Sequence, residues 1–456
     1  MPLNEGQTVQ YTVITTRVAD GTVLYWKTTG NTTNSDIVGG NTGSITITNN
    51  RAYINVTPSL DLTTDGTKTL GIALLTGSVN GTQVTTTASE IVVEDTSVPP
   101  VIRLFTWGDN TNGELGQNDT VRRSSPVQVG TDTSWNKIPP VGGQGAIKSD
   151  GTLWTWGSNS GGQLGINNNT IRYSPTQVSG ATWNKIASQS MATKTDGTLW
   201  LWGNNAYGQL GQNDRINASS PVQVAGTTWN NIADGGSFKI ATKTDGTLWA
   251  WGSNSRGNLG NNMSDIYPPY GSRSSPIQVG SDTNWNNLFC DSVTVFATKT
   301  DGTLWAWGFN RYGQLGVNSS TNISSPTAVG SSTNWLKVST NTEKTLAIKT
   351  DGTLWAWGDV EWGALGNNST YGRKSSPIQI GATTNWNDVS TCDAATLATK
   401  TNGTLWSWGY NRGVGVLGNN NANLNISSPV QVGSLTNWNL VSAGGNGTAM
   451  ATTFRD

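Results

Sequence analysis

The hydrophobic positions fall into short runs separated by polar, glycine-rich stretches, and the runs repeat. The clearest run is Leu-Trp-x-Trp-Gly, as in KTDGTLWAWGSNSRGNLG at residues 243–260. Along a strand, side chains point alternately to opposite faces, so Trp249 and Trp251 share one face. Before most runs stands an Asp-Gly pair flanked by alternating residues, at 150–151, 196–197, 245–246, 301–302 and 351–352, with Asn402-Gly403 in the equivalent place. Such a pair predicts a tight hairpin, a type I′ turn with positive φ at both central residues. The Trp-Gly pair ends at Gly108, Gly157, Gly203, Gly252, Gly308, Gly358 and Gly409, with steps of 49, 46, 49, 56, 50 and 51. Periods near 50 residues belong to propellers and related arrays.

Each copy runs in the order hairpin, NxxGQLG loop, polar loop ending in Ser-Pro, PxQVG strand and WNxI strand. Seven Trp-Gly strands need seven hairpins, yet only six turns are present. RLFTWG at 103–108 lacks a strand before it, and GTAMATT at 447–453 lacks one after it. These two orphans are predicted to pair and close the ring noncovalently, which removes exposed edges. The expected fold is all-β: a seven-bladed β-propeller over 103–456, preceded by a small β-sandwich over 1–95 and a linker over 96–102.

Composition narrows the chemistry. Hydrophobic residues make up 34% and charged residues 12% of the chain, below the globular averages of roughly 45–50% and 25%, which suits turn-rich β structure. The 22 tryptophans exclude disorder and are read mainly as core. Histidine is absent, which removes Ser-His-Asp and Cys-His nucleophiles and most zinc sites. Carboxylate pairs survive that filter, but Asp109, Asp234, Asp291, Asp359 and Asp393 form no local pair, so no enzyme activity and no cofactor are expected. Cys290 and Cys392 lie in different copies and read as small buried residues. A net charge of −1 without a basic run argues against nucleic acid, and no apolar stretch is long enough for a membrane span. The segment MPLNEGQTVQYTV shows neither the basic nor the apolar part of a secretion signal.

KTDGTLWAWG followed by NxxGQLG resembles the regulator of chromosome condensation repeat, in all seven copies. The resemblance implies a seven-bladed propeller with a protein-binding face; roles in that family include guanine-nucleotide exchange, ubiquitin-ligase accessory functions and inhibition of β-lactamase. The family's Gly-x-x-His segment is replaced here by stretches such as ADGGSFKIATKTDG at 233–246, and no basic tail is present, so exchange on a small GTPase is the least expected role. The first hundred residues, EGQTVQYTV then GTVLYW, SDI and DLTTDGTKTL, resemble the Calx-beta-like sandwich. In that family carboxylates often bind calcium, which here would fall to Glu5, Asp36, Asp61 and Asp65; Lys68 opposes it, and the aspartates are read as turn and surface residues.

Comparing the copies with one another separates fold from function. The residue before Gly in NxxGQLG is Asn112, Gly161, Tyr207, Arg256, Tyr312, Trp362 and Val414. Tyr207, Arg256, Tyr312 and Trp362 are predicted to form a binding arc, since Tyr, Arg and Trp dominate interface hot spots. The loop after Gly260 has 15 residues before its Ser-Pro proline where the first three copies have 9, and its Tyr267 and Tyr270 are further binding candidates. The expected function is a non-enzymatic structural or recognition protein, in particular a bacteriophage virion component at the tail, baseplate, fibre or capsid surface. Its expected partners are other structural proteins or a host cell-surface receptor, in a homo-oligomeric or multi-copy assembly. A bacterial or cellular protein-binding module, either a secreted inhibitor or an adhesin, is the alternative.

Overall fold

A computed structural model describes strands within 3–94 and, in the rest of the chain, residues 101–453 except 141, 264–270, 393–394, 424 and 446. The chain divides into two compact units, 1–100 and 101–456. In the first, Leu3–Asn4, Ile91–Glu94, Lys68–Leu75, Val23–Gly30 and Thr42–Thr46 follow one another in a sheet, with Gln83–Thr85 added to Lys68–Leu75. Val9–Ile14 and Arg51–Val56 pair separately. Alternation sends Ile54 and Val56 inward together. Glu5, Asp36, Asp61 and Asp65 lie outside the described residues.

The second unit begins before the end of the expected linker. Ile102 N–H donates to Thr133 O at 2.8 Å and bridges to Ser134, so this residue belongs to the propeller. Seven four-stranded sheets follow. In the blade of Trp229–Asp234, Phe238–Lys243, Leu248–Gly252 and Arg273–Gln278, the strands lie side by side in chain order. The closing blade takes Arg123–Gln128 and Leu104–Gly108 from the start, and Thr448–Thr453 and Trp438–Gly444 from the end. Ala451 pairs with Phe105 and Ala449 with Trp107. The two orphan strands of the sequence thus make the missing hairpin.

The hairpin turn differs from the type I′ expectation. Gly246 has φ +77°, while Asp245 is not among the residues with positive φ. Gly246 N–H donates to Lys243 O, and Lys243 N–H to Thr247 O, both at 3.0 Å. This is a type I turn closed by a left-handed glycine. The aspartate side chain explains the preference: Asp245 Oδ1 accepts the Thr247 N–H at 3.0 Å and its hydroxyl at 2.7 Å. Trp249 Nε1–H then donates to the same Thr247 hydroxyl at 2.8 Å. The relay recurs in the other five hairpins, from Trp154–Thr152–Asp150 to Trp406–Thr404–Asn402. The repeated lysine has a place too. Lys243 Nζ lies 4.0 Å from the Trp249 ring and 5.0 Å from that of Trp229, a cation–π arrangement.

The tryptophans of the propeller strands form three registers. Trp229, Trp249 and Trp251 pack edge to face or tilted within one blade, and Trp251 is fully buried while Trp249 is partly so. The second indole of the Trp-Gly run also joins neighbouring blades. Trp251 Nε1–H donates to Gln209 O at 2.9 Å, Trp307 to Asn258 O at 3.1 Å and Trp357 to Gln314 O at 2.7 Å. A backbone seam runs outside it. Asn262 N–H donates to Ser324 O at 2.8 Å, and six equivalent bonds carry the pattern round to Asn420 N–H and Ser124 O at 2.9 Å. All seven of these asparagines have φ between 57 and 62°, a conformation Asn tolerates better than most residues.

Candidate binding face

Strand direction decides which loops meet. The Trp-Gly strand runs from the Asp-Gly turn to the NxxGQLG loop, and the strand before it runs the other way. The NxxGQLG loops therefore share a face with the inner connections such as Asp234–Phe238, opposite the Asp-Gly turns.

Six of the seven NxxGQLG loops are held by their own asparagine. Asn254 Oδ1 accepts the Leu259 N–H at 2.9 Å and its Nδ2 donates to Met263 O at 2.9 Å. The Gln position supplies a second anchor: Gln209 Oε1 accepts the Tyr207 N–H and Gln314 Oε1 the Tyr312 N–H, both at 2.9 Å. Gly257 has φ +78°, and a Cβ there would come within 2.8 Å of Ser324 Cα on the next blade, so only glycine fits this seam. The variable residue just before that glycine is consequently held on a rigid frame.

The sixth loop lacks both anchors. Val360 stands for the asparagine and Ala364 for the glutamine. A single 3-10 turn, Glu361–Gly363, replaces the usual loop, and Trp362 takes φ +60°, ψ 19°. A bulky residue rarely adopts this conformation, and strained backbone gathers at functional sites. Trp362 is 52% exposed, and its ring stacks on Tyr410 with centroids 5.0 Å apart and planes 24° apart. Beside it opens a cleft of about 290 Å³, bounded among others by Glu361, Tyr371, Asn425 and Ser427.

Of the four residues of the predicted arc, the structure links Arg256 and Tyr312, through a residue of another register. The Arg256 guanidinium lies 5.2 Å from the Phe309 ring. Phe309 meets Tyr312 edge-on at 6.1 Å, and Arg373 lies 4.9 Å over Tyr312. Arg373 in turn faces Asp359 at 3.7 Å. Arg256 and Tyr312 are thus linked through Phe309, and Trp362 pairs with Tyr410. Tyr207 is half-buried in its own loop. Tyr267 and Tyr270 lie outside the described residues. Phe309 and Tyr410 were legible by the same comparison at an earlier register, since the residue after Trp-Gly is Asp, Ser, Asn, Ser, Phe, Asp and Tyr in turn.

The centre of this face is a basin of about 390 Å³, lined by residues including Ser190, Asp234, Cys290, Asn341 and Thr391. Asp234 is buried with Lys239, and it accepts hydrogen bonds from Ser188 and Ser190 and, at 2.7 Å, from the Gly236 N–H. Burial, with Asp234 and Asp291 nearby, pushes the Cys290 thiol well above its usual range, which removes its thiolate character. Among the described residues, no group of three His, Cys, Asp or Glu side chains is placed to hold a metal ion. No helix among them is long and apolar enough to cross a membrane.

Four stretches, 103–138, 150–191, 196–238 and 301–348, match the Regulator of chromosome condensation (RCC1) repeat. No curated protein sequence matches the chain. Solved structures share the fold. Yeast RCC1 (Prp20), solved bound to Kap60, is 18% identical, with 78% of this chain and 90% of that one covered and a TM-score of 0.68. Prp20p from Saccharomyces cerevisiae, studied for its binding to Gsp1p and histones, is 18% identical, with 79% and 93% covered and a TM-score of 0.66. Human WBSCR16 is 19% identical, with 78% and 99% covered and a TM-score of 0.64.

Proposed function

We propose that this chain, a propeller built of regulator of chromosome condensation repeats, is a non-enzymatic recognition protein that holds a protein partner on its loop face. The observation that carries this reading is the run of aromatic and guanidinium groups from Arg256 through Phe309 and Tyr312 to Arg373, together with the stack of the exposed Trp362 on Tyr410. Such groups contribute most of the energy at protein interfaces, and a rigid frame lowers the entropy cost of docking. Prp20, which shares this fold, was solved bound to Kap60 and studied for its binding to Gsp1p and histones, and all of these are proteins. Guanine-nucleotide exchange is the least favoured form of this function here.

The finer reading is a bacteriophage virion component that meets other structural proteins or a host surface. It rests on the absence of histidine, the sparse cysteine, the abundance of Asn, Thr and Gly, and the joining of an all-β unit to a propeller. Immunogold labelling of particles from the source culture tests it: label at a fixed place on particles supports the virion, whereas label confined to cell surfaces moves the protein to the cellular alternative. The face is tested separately. A photo-crosslinking residue replacing the exposed Arg311, on the loop face, is expected to trap one defined protein; the same probe at the exposed Asp301, on the opposite face, is expected to trap none. Equal trapping from both positions would overturn the assignment of the face.

A further inference from the structure

The strands nearest the axis begin with the WNxI tryptophans, and the residue two positions after each tryptophan forms a separate register around the channel. Read round the ring it is Lys137, Lys185, Asn231, Asn287, Lys337, Asp388 and Leu440. Lys337 has a carboxylate partner in Asp388. Lys137 and Lys185 instead have neutral acceptors: Lys137 Nζ donates to Asn184 O at 2.7 Å and Asn184 Oδ1 at 2.9 Å, and Lys185 Nζ to Asn230 Oδ1 at 3.0 Å and Asn231 Oδ1 at 2.7 Å. Both lysines line an axial cavity of about 270 Å³ together with Asn231, Asn287 and apolar residues that include Ile186 and Phe289.

We propose that this cavity binds a small phosphate-class anion between Lys137 and Lys185. Two ammonium groups in a partly dehydrated space repel each other, and amide oxygens satisfy their hydrogen bonds without cancelling their charge. A doubly charged oxyanion cancels it and can accept further hydrogen bonds. The cavity has room for one with its waters, since a water takes about 30 Å³ of liquid. The electrostatics agree: burial lowers the affinity of Lys137 for its proton, and burial followed by the charge of Lys137 does the same to Lys185. The site lies within the ring and is independent of the loop face.

The test is titration of the full chain with inorganic phosphate, against chloride at matched ionic strength, read by the thermal midpoint and by phosphorus NMR line width. Phosphate is expected to raise the midpoint and to broaden its own resonance on addition of protein. Lys137→Met and Lys185→Met are each expected to weaken phosphate binding at least tenfold, and Lys374→Met, on the exposed surface, to leave it unchanged. Lys185→Arg, which keeps the charge, is expected to retain the response and guards against variants that fail to fold. A phosphate effect no larger than that of chloride, or an undiminished one in folded methionine variants, would overturn the proposal.

Discussion

The indole N–H of Trp107 donates to the carbonyl of Val416 at 2.8 Å, 309 residues further along the chain. The same bond joins Trp251 to Gln209 across 42 residues within the ring. The closing seam is therefore built like the internal ones, although no hairpin turn connects its strands. Deleting residues 438–456 removes two strands of the closing blade and exposes the edge of Leu104–Gly108. The truncated chain is expected to lose the cooperative unfolding transition of the propeller and to aggregate. Calorimetry with light scattering decides it; an unchanged transition would show that closure contributes little.

Burial separates the tryptophans energetically. Trp251→Ala empties a fully buried site and is expected to cost about 3–5 kcal/mol. Trp362→Ala, at a half-exposed site, is expected to stay within about 0.5 kcal/mol. Urea unfolding of the two variants against the parent measures both, and similar losses would contradict the assignment of Trp251 to the core.

The Asp–Thr–Trp relay makes stability sensitive to acid. The Thr247 hydroxyl, followed by its backbone N–H, holds the Asp245 carboxyl below its ordinary value, and Asp150, Asp196, Asp301 and Asp351 are shifted in the same way by their own threonines. A carboxyl lowered on folding adds stability that is complete above its unfolded pKa of about 4 and is lost as pH falls through the folded value. Urea midpoints are thus expected to be flat from pH 7 to 5 and to fall below pH 4. Asp245→Asn is expected to fold, because Asn402 makes the same contact with Thr404, and to reduce the acid sensitivity. A midpoint that changed equally in both pH ranges would exclude the relay as its cause.

Thr247→Val tests the middle of that relay. It leaves the Trp249 N–H and Asp245 without their shared hydroxyl, at an expected cost of about 1 kcal/mol. Thr247→Ser keeps the hydroxyl and is expected to recover part of the loss in the same urea assay.

Cys290 and Cys392 are free and buried. Both are expected to resist a thiol reagent in the native protein and to react fully once urea unfolds it. Reaction at the native rate of an exposed thiol would place at least one of them at the surface.

On the loop face, Tyr312→Ala, Arg373→Ala and Trp362→Ala are each expected to weaken partner binding by about 30-fold, the value of a hot spot near 2 kcal/mol. Circular dichroism of the same variants is expected to be unchanged. Full affinity in all three would remove this face from the interface.

Much of the ring was readable from local chemistry. Asp-Gly turns, alternating Leu-Trp-x-Trp runs and a count of strands without partners act over a few residues, so they set the seven blades and named Thr448–Thr453 and Leu104–Gly108 as the closing pair. Even the backbone turn type was not readable from the Asp-Gly pair alone, because the aspartate carboxylate also bonds the N–H and hydroxyl of the threonine two residues on. The cluster around Tyr312 was visible only in part: Tyr312 and Arg256 stand out in one register, whereas Phe309, which links them, and Arg373, which covers Tyr312, come from other registers. The same holds at the axis. Lys137 and Lys185 lie 48 residues apart in sequence and are ordinary surface lysines to any local reading; the closed ring places them on one cavity, away from the carboxylate that neutralises Lys337. Short-range hydrogen bonding and side-chain period are written in the sequence itself. Which side chains of different blades meet depends on ring curvature and on the pairing of strands hundreds of residues apart, and only the tertiary structure settles that.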